Sequence, residues 1–516
     1  MNYYNIIPRP ENIEPRQGVF VLRYDSTITY ADEAAKHPAE MLAAYLRPAT
    51  GYALPVKALP SPSDKIILNA SERTPELGSE GYTLEVTQAQ IIIRANESTG
   101  LFYGVQTLRQ LLPPAVFSPF KEDEPWSLPC VKITDRPRFR WRGIMFDEGR
   151  HWFGKEYVKR FIDLISLHKY NVFHWHLTEN AGWRIDIRHY PKLREIAAWR
   201  DKTVIGRADR KPREFDNKPY GGFYTQDDVR EIVEYATAHY IKVVPEIEMP
   251  GHCQAALAAY PELGCSGGPY EVMDYWDYSD NNFCAGNDAV FEFLNGVLDE
   301  ICELFPSEYI HIGGDECRKT AWENCPKCRK RMKDENLSDG NKLQSYFIRR
   351  IEKYLSSKGR SIVGWDEILE GGPEPKALVM FWLEKASSLE AAVNAHHHVI
   401  ASLHQYTYFD YYQGDPAKEP LAIGGMLPLE KVYSFEPVPQ GVPAGMSKYV
   451  IGVQGQIWSQ YIKERKHLEY MTFPRACALA EVAWSLPEKD YSGFLRRLVP
   501  HLARLDSLDV GYRKLD

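Results

Sequence analysis

Two adjacent carboxylates, Asp315 and Glu316, end the apolar segment YIHIGGDE at residues 309–316. Like charges side by side repel each other unless each has its own partner or one of them keeps a proton. No lysine or arginine precedes Arg318 in this part of the chain. The pair therefore has two interpretations: a solvated loop that caps a helix, or two carboxylates that act on different groups of one substrate.

Cleavage of a glycosidic bond is a reaction that two such carboxylates can perform. Most glycosidases place an acid and a second carboxylate on opposite faces of the sugar, about 5 to 5.5 Å apart in retaining enzymes and about 6.5 to 9.5 Å apart in inverting enzymes. Neighbouring residues at a strand end point in different directions, which suits this opposed arrangement poorly. The two carboxylates can instead have different roles: Glu316 protonates the leaving oxygen, while Asp315 orients a 2-acetamido group on the sugar. The carbonyl oxygen of that group then attacks C1.

Two alternatives to this substrate-assisted hypothesis remain open. The first is a conventional two-carboxylate glycosidase in which Glu248 is the partner of Glu316. The second is a carbohydrate-binding barrel without catalysis, although the combination of Asp315, Glu316, Arg150 and Tyr408 argues against it. Hydrolysis of sugars with and without the acetamido group distinguishes the three.

Reactive side chains recur at the ends of eight apolar segments, which read WRGIMFD, NVFHWHL, KVVPEIE, YIHIGGD, SIVGWDE, ALVMFWL, HVIASLH and YVIGVQG. Acids, histidines, one arginine and aromatic residues at one mouth are typical of a carbohydrate site. In chain order these residues are Asp147, Glu148, Arg150, His151, His174, His176, Glu179, Asn180, Glu246, Glu248, His252, Asp315, Glu316, Trp365, Asp366, Glu367, Trp382, Tyr406, Tyr408, Asp410, Trp458 and Gln460.

The segments between these strands predict amphipathic helices. In KEYVKRFIDLISLHKY the apolar residues Val158, Phe161, Ile162 and Ile165 follow helical spacing. TQDDVREIVEYATAHY has the same spacing after a capping-box pattern in residues 225–228. Eight strands with helical connections over roughly 360 residues predict an α/β fold, a (β/α)8 TIM barrel whose strand C-termini gather the reactive groups.

A small α+β domain is predicted before the barrel. Residues 1 to 112 alternate short β-rich segments with two helical patterns. Residues 113–129 are rich in proline and charge and indicate a linker. We therefore predict a first domain with its linker at 1–130 and the barrel at 131–516.

Composition narrows the class of partner. The net charge of -8 and a pI near 6.1 argue against nucleic acid or an anionic membrane as the main partner. No run of about 18 apolar residues occurs and the N-terminal segment does not resemble a signal peptide, so no membrane insertion is expected. The location would be periplasmic or secreted if a signal peptide has been removed, and otherwise cytoplasmic. The sequence does not indicate the oligomeric state.

The nine cysteines cannot all be paired. Cys317, Cys325 and Cys328 include a CxxC motif, which would bind zinc or form a disulfide, but no fourth ligand is evident nearby. Free or pairing thiols are the favoured interpretation. We expect no metal and no cofactor.

Several of these segments resemble one known family. HIGGDE is similar to the signature of family 20 glycoside hydrolases, the β-N-acetylhexosaminidases. NVFHWHLTENAGWRIDI, VVPEIEMPGH, VGWDEI and GVQGQIWSQ resemble the family's second, third, fifth and eighth strand segments, and the small first domain also matches. The resemblance implies a retaining exo-β-N-acetylhexosaminidase that releases terminal β-linked GlcNAc or GalNAc from a glycan through an oxazolinium intermediate.

The resemblance also implies roles for the residues that match its motifs. Asp315 would orient the acetamido group, and Glu316 would be the general acid/base. Arg150 would hold the ring hydroxyls O3 and O4, which suits its forked guanidinium. The hydroxyl of Tyr408 would bind the amide oxygen.

The remaining implied residues shape and support the pocket. Asp410 would accept a hydrogen bond from O4 or O6, and His252 and Glu179 would support the catalytic pair. The acetamido pocket would be walled by Trp365, Trp382 and Trp458.

The chain departs from the family pattern at two places. Glu179 and Asn180 stand where the family often has two aspartates, so either of them is a candidate for ordering the catalytic pair. Gln460 stands where a glutamate commonly contacts O4 or O6. Loss of this charge predicts either tolerance of 6-O-sulfated GlcNAc or broad gluco/galacto preference.

Overall fold

The N-terminal part of the chain forms one mixed sheet. The computed structural model describes residues 4–61, 65–71, 73–372, 377–383 and 386–515. The sheet order is β1-β7-β5-β6-β4-β2-β3, with β1, β7, β5 and β6 antiparallel to their neighbours and β6, β4, β2 and β3 parallel. Its strands are β1 (Asn12–Val21), β2 (Ile28–Tyr30), β3 (Val56–Ala58), β4 (Ile66–Asn69), β5 (Tyr82–Val86), β6 (Ile91–Ala95) and β7 (Ser127–Asp135).

Two helices, α1 (Glu33–Thr50) and α2 (Ser98–Leu111), cover this sheet. Buried and half-buried residues alternate along β5 and β6, as expected of strands with one covered face. Asp32 caps α1 by accepting a hydrogen bond from the Ala35 N–H. The boundary predicted at residue 130 lies within β7, because this strand belongs to the first sheet rather than to a linker.

Eight parallel strands form a closed barrel, which confirms the predicted (β/α)8 fold. Helices cover the outer faces of the strands and side chains fill the interior, so the strands read as continuous apolar runs. All eight predicted segments contain a barrel strand. The strands are β8 (Trp141–Asp147), β9 (Val172–His176), β10 (Lys242–Glu246), β11 (Tyr309–His311), β12 (Ser361–Trp365), β13 (Leu378–Phe381), β14 (Val399–Ala401) and β15 (Val450–Ile457).

The barrel helices follow the predicted amphipathic spacing. The capping box at Thr225 and Asp228 forms at the start of α4, and Val158, Phe161 and Ile162 are buried on α3. The α-helices of this region are α3 (Lys155–Leu167), α4 (Gln226–Ala238), α5 (Gln254–Ala259), α6 (Asp288–Leu304), α7 (Thr320–Asn324), α8 (Pro326–Asp334), α9 (Gly340–Ser357), α10 (Ala386–Asn394), α11 (His404–Thr407), α12 (Leu429–Ser434), α13 (Arg465–Thr472), α14 (Arg475–Trp484) and α15 (Tyr491–Ser507).

Buried polar contacts join the two domains. The ammonium group of Lys169 lies 2.9 Å from a carboxylate oxygen of Asp135, and both side chains are fully buried. The indole N–H of Trp484 donates to the other oxygen of Asp135 at 2.9 Å. Because removing one partner would leave a buried charge uncompensated, this contact fixes how the first sheet packs on the barrel.

A long connection follows β10. Residues 247–287 separate this strand from α6 and contain only the short helix α5 and one 3-10 turn. This connection and the loops after β8, β9 and β11 converge above the C-terminal ends of the strands. In the described part of the chain, no helix is long and apolar enough to cross a membrane.

Candidate active site

A cavity of about 310 Å³ opens at the C-terminal end of the barrel. Ten of the eleven predicted site residues line it. Their common feature is that each follows a barrel strand, so the closed sheet brings together residues that are far apart in sequence. They are Arg150, Glu179, His252, Asp315, Glu316, Trp382, Tyr408, Asp410, Trp458 and Gln460.

The eleventh residue, Trp365, lies behind the cavity wall. Its side chain is 1% exposed, and its ring centroid is 5.9 Å from that of Trp458, which does line the cavity. The indole N–H of Trp365 donates to Glu246 at 2.9 Å. Trp365 therefore backs the wall in this structure, because its polar edge is held by a buried carboxylate below the cavity.

Asp315 is a buried carboxylate with an unused acceptor. Its residue surface is 8% exposed, and its Oδ1 atom has no hydrogen-bond partner among the described residues. Burial, together with the negative charges of Glu316 and Glu246, raises the pKa of Asp315 to about 7. An acceptor left free at a buried position suits a ligand that donates an N–H or O–H.

His252 connects the two catalytic candidates to Glu179. Its Nδ1 donates to Glu179 at 2.9 Å, and its Nε2 lies 3.2 Å from Glu316 and 3.6 Å from Asp315. Burial alone would lower the pKa of His252, but the carboxylates of Glu179 and Asp315 raise it well above its usual range. A protonated imidazole between three carboxylates offsets their mutual repulsion and holds Glu316 in place.

Glu179, rather than Asn180, orders this network. One oxygen of Glu179 lies 3.2 Å from the guanidinium of Arg150, and the carboxylate also accepts the His252 N–H. Asn180 instead accepts a hydrogen bond from the Gln254 N–H, so it fixes the start of α5. Since Arg150 and His252 both contact the carboxylate of Glu179, the residue after β9 that supports the Asp315–Glu316 pair is Glu179.

The backbone before Glu316 requires glycine at two places. Gly313 and Gly314 have φ angles of 68° and 97°. A Cβ on Gly313 would lie 1.7 Å from Oε2 of Glu248, and a Cβ on Gly314 would lie 2.4 Å from Ile368. The two glycines therefore allow the chain to turn sharply after β11 while Glu248 approaches the backbone closely.

Glu248 is poorly suited to be a nucleophile. Burial, together with the negative charges of Asp315 and Glu246, raises the pKa of Glu248 well above its usual range. A neutral carboxyl group donates a proton but attacks carbon weakly. The electrostatics thus disfavour the conventional mechanism in which Glu248 would be the partner of Glu316.

Aromatic rings form one wall of the cavity. Trp382 stacks on Tyr408 with ring centroids 6.1 Å apart, and its indole N–H donates to Glu367 at 2.9 Å. Trp458 lies under the guanidinium of Arg150 at 5.0 Å. These contacts fix flat apolar faces next to hydrogen-bonding groups, an arrangement that suits a sugar ring carrying an apolar substituent.

A buried ionic cluster lies beneath the cavity. Glu246 contacts His174 at 3.0 Å and His311 at 2.7 Å, and it also bonds His176. Although burial opposes ionisation, these histidines hold the pKa of Glu246 well below its usual range. The negative charge kept at this depth is one cause of the raised pKa values of Asp315 and Glu248.

Asp410 and Gln460 also carry buried oxygens without a hydrogen-bond partner in the described part of the chain. Oδ1 of Asp410 and Oε1 of Gln460 are buried and have no hydrogen-bond partner within the described ranges. Burial raises the pKa of Asp410 to about 7. Both oxygens are thus available to the hydroxyl groups of a ligand.

The sequence prediction missed an aromatic segment in the connection after β10. Met273, Tyr275, Trp276, Asp277 and Tyr278 all line the cavity. The nearby charge of Glu316 raises the pKa of the Tyr278 hydroxyl. The sequence feature that indicates this segment is the aromatic run YEVMDYWDY in a long polar loop. The position of that loop over the barrel mouth depends on tertiary contacts.

Asp315→Asn is expected to stabilise the folded protein at about pH 8. The pKa of Asp315 in the folded protein is about 7, above the ordinary value of 3.8, so folding favours the neutral carboxyl group. This contribution to stability is fully present below the unfolded pKa and is lost as the pH rises through about 7. Each pKa unit corresponds to about 1.4 kcal/mol, so the rise from 3.8 to about 7 predicts a gain on the order of 4 kcal/mol at about pH 8, which falls below about 1 kcal/mol near pH 4.

The thermal midpoint of unfolding, recorded at both pH values, measures this effect. Asp280→Asn is the matched control, because Asp280 is an exposed aspartate in the connection after β10. A change of midpoint that is the same at both pH values for Asp315→Asn would show that burial does not disfavour its charged form.

Comparisons with known proteins agree with this geometry. Residues 139–487 match the family described as glycosyl hydrolase family 20, catalytic domain, and residues 3–136 match glycosyl hydrolase family 20, domain 2. A beta-hexosaminidase from Porphyromonas gingivalis is 42% identical over 510 residues, which cover 98% of this chain and 64% of that protein. The chain therefore spans just under two thirds of the length of this relative.

Two further relatives are similar over almost their whole length. A beta-N-acetylhexosaminidase from Cellulomonas fimi is 30% identical over 98% of this chain and 95% of its own. The solved structure of the Streptomyces plicatus N-acetyl-beta-hexosaminidase in complex with Thio-NAglucal has a TM-score of 0.88 and 32% identity, covering 100% of this chain and 97% of that one. Together with the two domain matches, these similarities show that the chain belongs to glycosyl hydrolase family 20.

Proposed function

We propose that the protein is a retaining exo-β-N-acetylhexosaminidase that acts on terminal β-linked GlcNAc or GalNAc by substrate-assisted catalysis. The observation that carries the proposal is the buried Asp315 carboxylate, whose Oδ1 is unused and which adjoins Glu316 in the cavity. Its acceptor suits the N–H of an acetamido group. The names of the relatives, all beta-hexosaminidases, support the same substrate class.

In the first step, the acetamido carbonyl oxygen attacks C1 and the C1–O bond to the leaving group breaks. Glu316 gives its proton to the departing oxygen, while Asp315 accepts the amide N–H and stabilises the positive charge that develops on the oxazolinium ion. His252 keeps Glu316 and Asp315 within reach of each other, with Nε2 contacts of 3.2 and 3.6 Å.

In the second step, water attacks C1 from the face that the leaving group occupied. Glu316, now a carboxylate, takes a proton from this water, and the bond between C1 and the acetamido oxygen breaks. The two inversions give overall retention. Proton NMR of the first product formed from a β-linked substrate therefore should show the β anomer, whereas the α anomer would contradict the proposal.

Arg150, Asp410 and Gln460 are the proposed partners of the ring hydroxyls. The guanidinium of Arg150 is already oriented by Asp147 at 3.3 Å and Glu179 at 3.2 Å, so it pays little conformational entropy on binding. Asp410 and Gln460 present the two unpartnered oxygens described above. Tyr408, the stacked Trp382 and the neighbouring Trp458 are proposed to enclose the acetamido group, with Trp365 behind Trp458.

A finer proposal concerns the substituent on O6. Gln460 keeps the length of a glutamate and its acceptor but has no charge and adds an N–H donor. A glutamate there would repel an anionic group, at a cost of several kcal/mol in a partly desolvated pocket. We therefore include 6-O-sulfated GlcNAc among the proposed substrates; the competing proposal is that Gln460 only alters contacts with O4.

Gln460→Glu is expected to lower kcat/KM for 6-sulfated 4-nitrophenyl N-acetyl-β-glucosaminide by about 10- to 100-fold relative to the unsulfated compound. Gln460→Met, which is also uncharged, is the control and should change this ratio less. Since the pKa of Asp410 is about 7, the wild-type preference for the sulfated substrate should fall as the pH is raised through that value.

Two results would rule out the sulfate proposal. One is loss of wild-type activity on the sulfated substrate at about pH 6, where Asp410 is largely neutral. The other is a Gln460→Glu variant that handles both substrates as the wild type does. A changed ratio between GlcNAc and GalNAc substrates instead would favour the role at O4.

A further inference from the structure

Four cysteine sulfurs converge next to the active-site loops. Cys265 and Cys284 belong to the connection after β10, and Cys325 and Cys328 lie at the start of α8. The Sγ atoms of Cys265 and Cys328 are 3.8 Å apart, those of Cys284 and Cys325 are 3.8 Å apart, and those of Cys284 and Cys328 are 3.6 Å apart. All four sulfurs lie within 4.8 Å of one another, and all are free thiols.

We propose that Cys265, Cys284, Cys325 and Cys328 bind one structural Zn²⁺ ion. Zinc takes four thiolates in a tetrahedron with Zn–S distances of about 2.3 Å, which separates the sulfurs by roughly 3.8 Å. The observed separations of 3.6 to 3.8 Å match this edge. A disulfide would need about 2.05 Å between two of the sulfurs and would leave the other two without a role.

The backbone around the cluster also allows the two cysteine-bearing segments to approach each other closely. A Cβ on Gly286 would lie 2.2 to 2.4 Å from the backbone of Lys327 and Cys328, so the turn after Cys284 meets the CxxC turn backbone to backbone. Only a residue without a side chain permits this close approach, which brings Cys284 next to the two sulfurs of the CxxC motif.

The composition of the cluster favours a structural ion over a catalytic one. Four protein ligands leave no open position for water or substrate. Cys284, Cys325 and Cys328 are almost completely buried, and Cys265 is partly exposed. The proposed ion would thus serve to hold chain segments together.

Those segments form part of the cavity. Cys265 and Cys284 enclose residues 266–283, which include the five cavity-lining residues of the aromatic segment around Trp276. The CxxC motif follows the Asp315–Glu316 pair in the same loop of the barrel. The ion would therefore tie the base of the aromatic loop to the loop that carries the catalytic candidates, whatever reaction the cavity supports.

Cys317 was a candidate ligand together with the CxxC motif, but in the structure its side chain lies apart from the cysteines of that motif. Cys317 is buried and is not part of the four-sulfur cluster. The other two ligands are distant in sequence: Cys284 precedes Cys325 by 41 residues, and Cys265 precedes Cys328 by 63 residues. The proposal thus replaces the earlier expectation of free or disulfide-paired thiols.

Metal analysis of the full-length protein, purified without chelator, tests the proposal. Mass spectrometry of the dissolved metal is expected to find one zinc per chain, which Cys284→Ser and Cys328→Ser should lose. Cys302→Ser is the matched control, since Cys302 lies on α6 outside the cluster, and it should keep the ion. Zinc retained in Cys284→Ser would place the metal elsewhere and overturn the proposal.

A second measurement avoids variants that fail to fold. The wild-type protein is stripped of metal with a chelator under reducing conditions and supplied with Co²⁺ alone. We expect one equivalent to bind with the strong visible absorption of a tetrahedral tetrathiolate, and we expect Zn²⁺ to displace it and to protect residues 266–283 from protease. Failure to bind either ion, or a disulfide between any two of these cysteines in freshly purified protein, would refute the site.

Discussion

Replacing Asp315 with asparagine is expected to lower kcat/KM for N-acetyl-β-hexosaminides by about 10²- to 10⁴-fold, whatever the leaving group. Asparagine keeps the size of the side chain but removes the negative charge that would stabilise the oxazolinium ion. Its amide N–H₂ can also face the acetamido N–H and repel it. Steady-state kinetics on 4-nitrophenyl and alkyl N-acetyl-β-glucosaminides measure the loss.

The control for this prediction is the same substitution assayed on a sugar without the acetamido group. Any slow hydrolysis of 4-nitrophenyl β-glucoside should change little in Asp315→Asn, because the carboxylate has no amide to orient. An unchanged or higher thermal midpoint at about pH 8 would show that the variant is folded. Equal, small effects on the two kinds of sugar would argue decisively against substrate assistance.

Replacing Glu316 with glutamine should have an effect that depends on the leaving group. An alkoxide leaves poorly without a proton, so the loss on alkyl glycosides and disaccharides should reach about 10²- to 10⁴-fold. A nitrophenolate leaves without much assistance, so the loss in the first step should be much smaller for activated phenyl glycosides. A plot of log kcat/KM against leaving-group pKa should therefore be steeper for the variant than for the wild type.

Asp277→Asn provides the comparison for Glu316→Gln. Asp277 also lines the cavity, but its carboxylate pairs with the guanidinium of Arg213 at 3.2 Å rather than with Glu316. Its loss of activity should be modest and the same for all leaving groups. If the loss in Glu316→Gln is uniform across leaving groups, Glu316 is not the general acid.

The barrel and most of its mouth were predictable from sequence because both depend on short-range patterns. Each strand is a continuous apolar run that ends in a polar residue, and a parallel barrel collects those ends at one rim. Asp315, Arg150 and Asp410 could thus be grouped although they lie far apart in the chain. The capping box at Thr225 and Asp228 was equally local.

Features that depend on long-range packing were not predictable in the same way. The choice between Glu179 and Asn180 rested on which side chain reaches His252, and adjacent residues give no sign of this. Trp365 lies behind the wall because its indole N–H bonds the buried Glu246, a contact between two different strands.

The cysteine cluster shows the same limit. The CxxC motif at Cys325 and Cys328 is a local signal, whereas Cys265 and Cys284 reach it only through the fold of residues 247–287. No spacing rule links ligands that a loop of that length brings together. The aromatic segment around Trp276 was overlooked for the same reason.

The most direct test of the central claim compares 4-nitrophenol release from the N-acetyl-β-glucosaminide and from the β-glucoside by the wild-type protein. Substrate assistance by the acetamido group predicts rapid release from the first compound and release from the second that is lower by several orders of magnitude. Comparable turnover of both would contradict the account and favour a protein nucleophile such as Glu248. Absence of turnover on both would instead favour a carbohydrate-binding barrel.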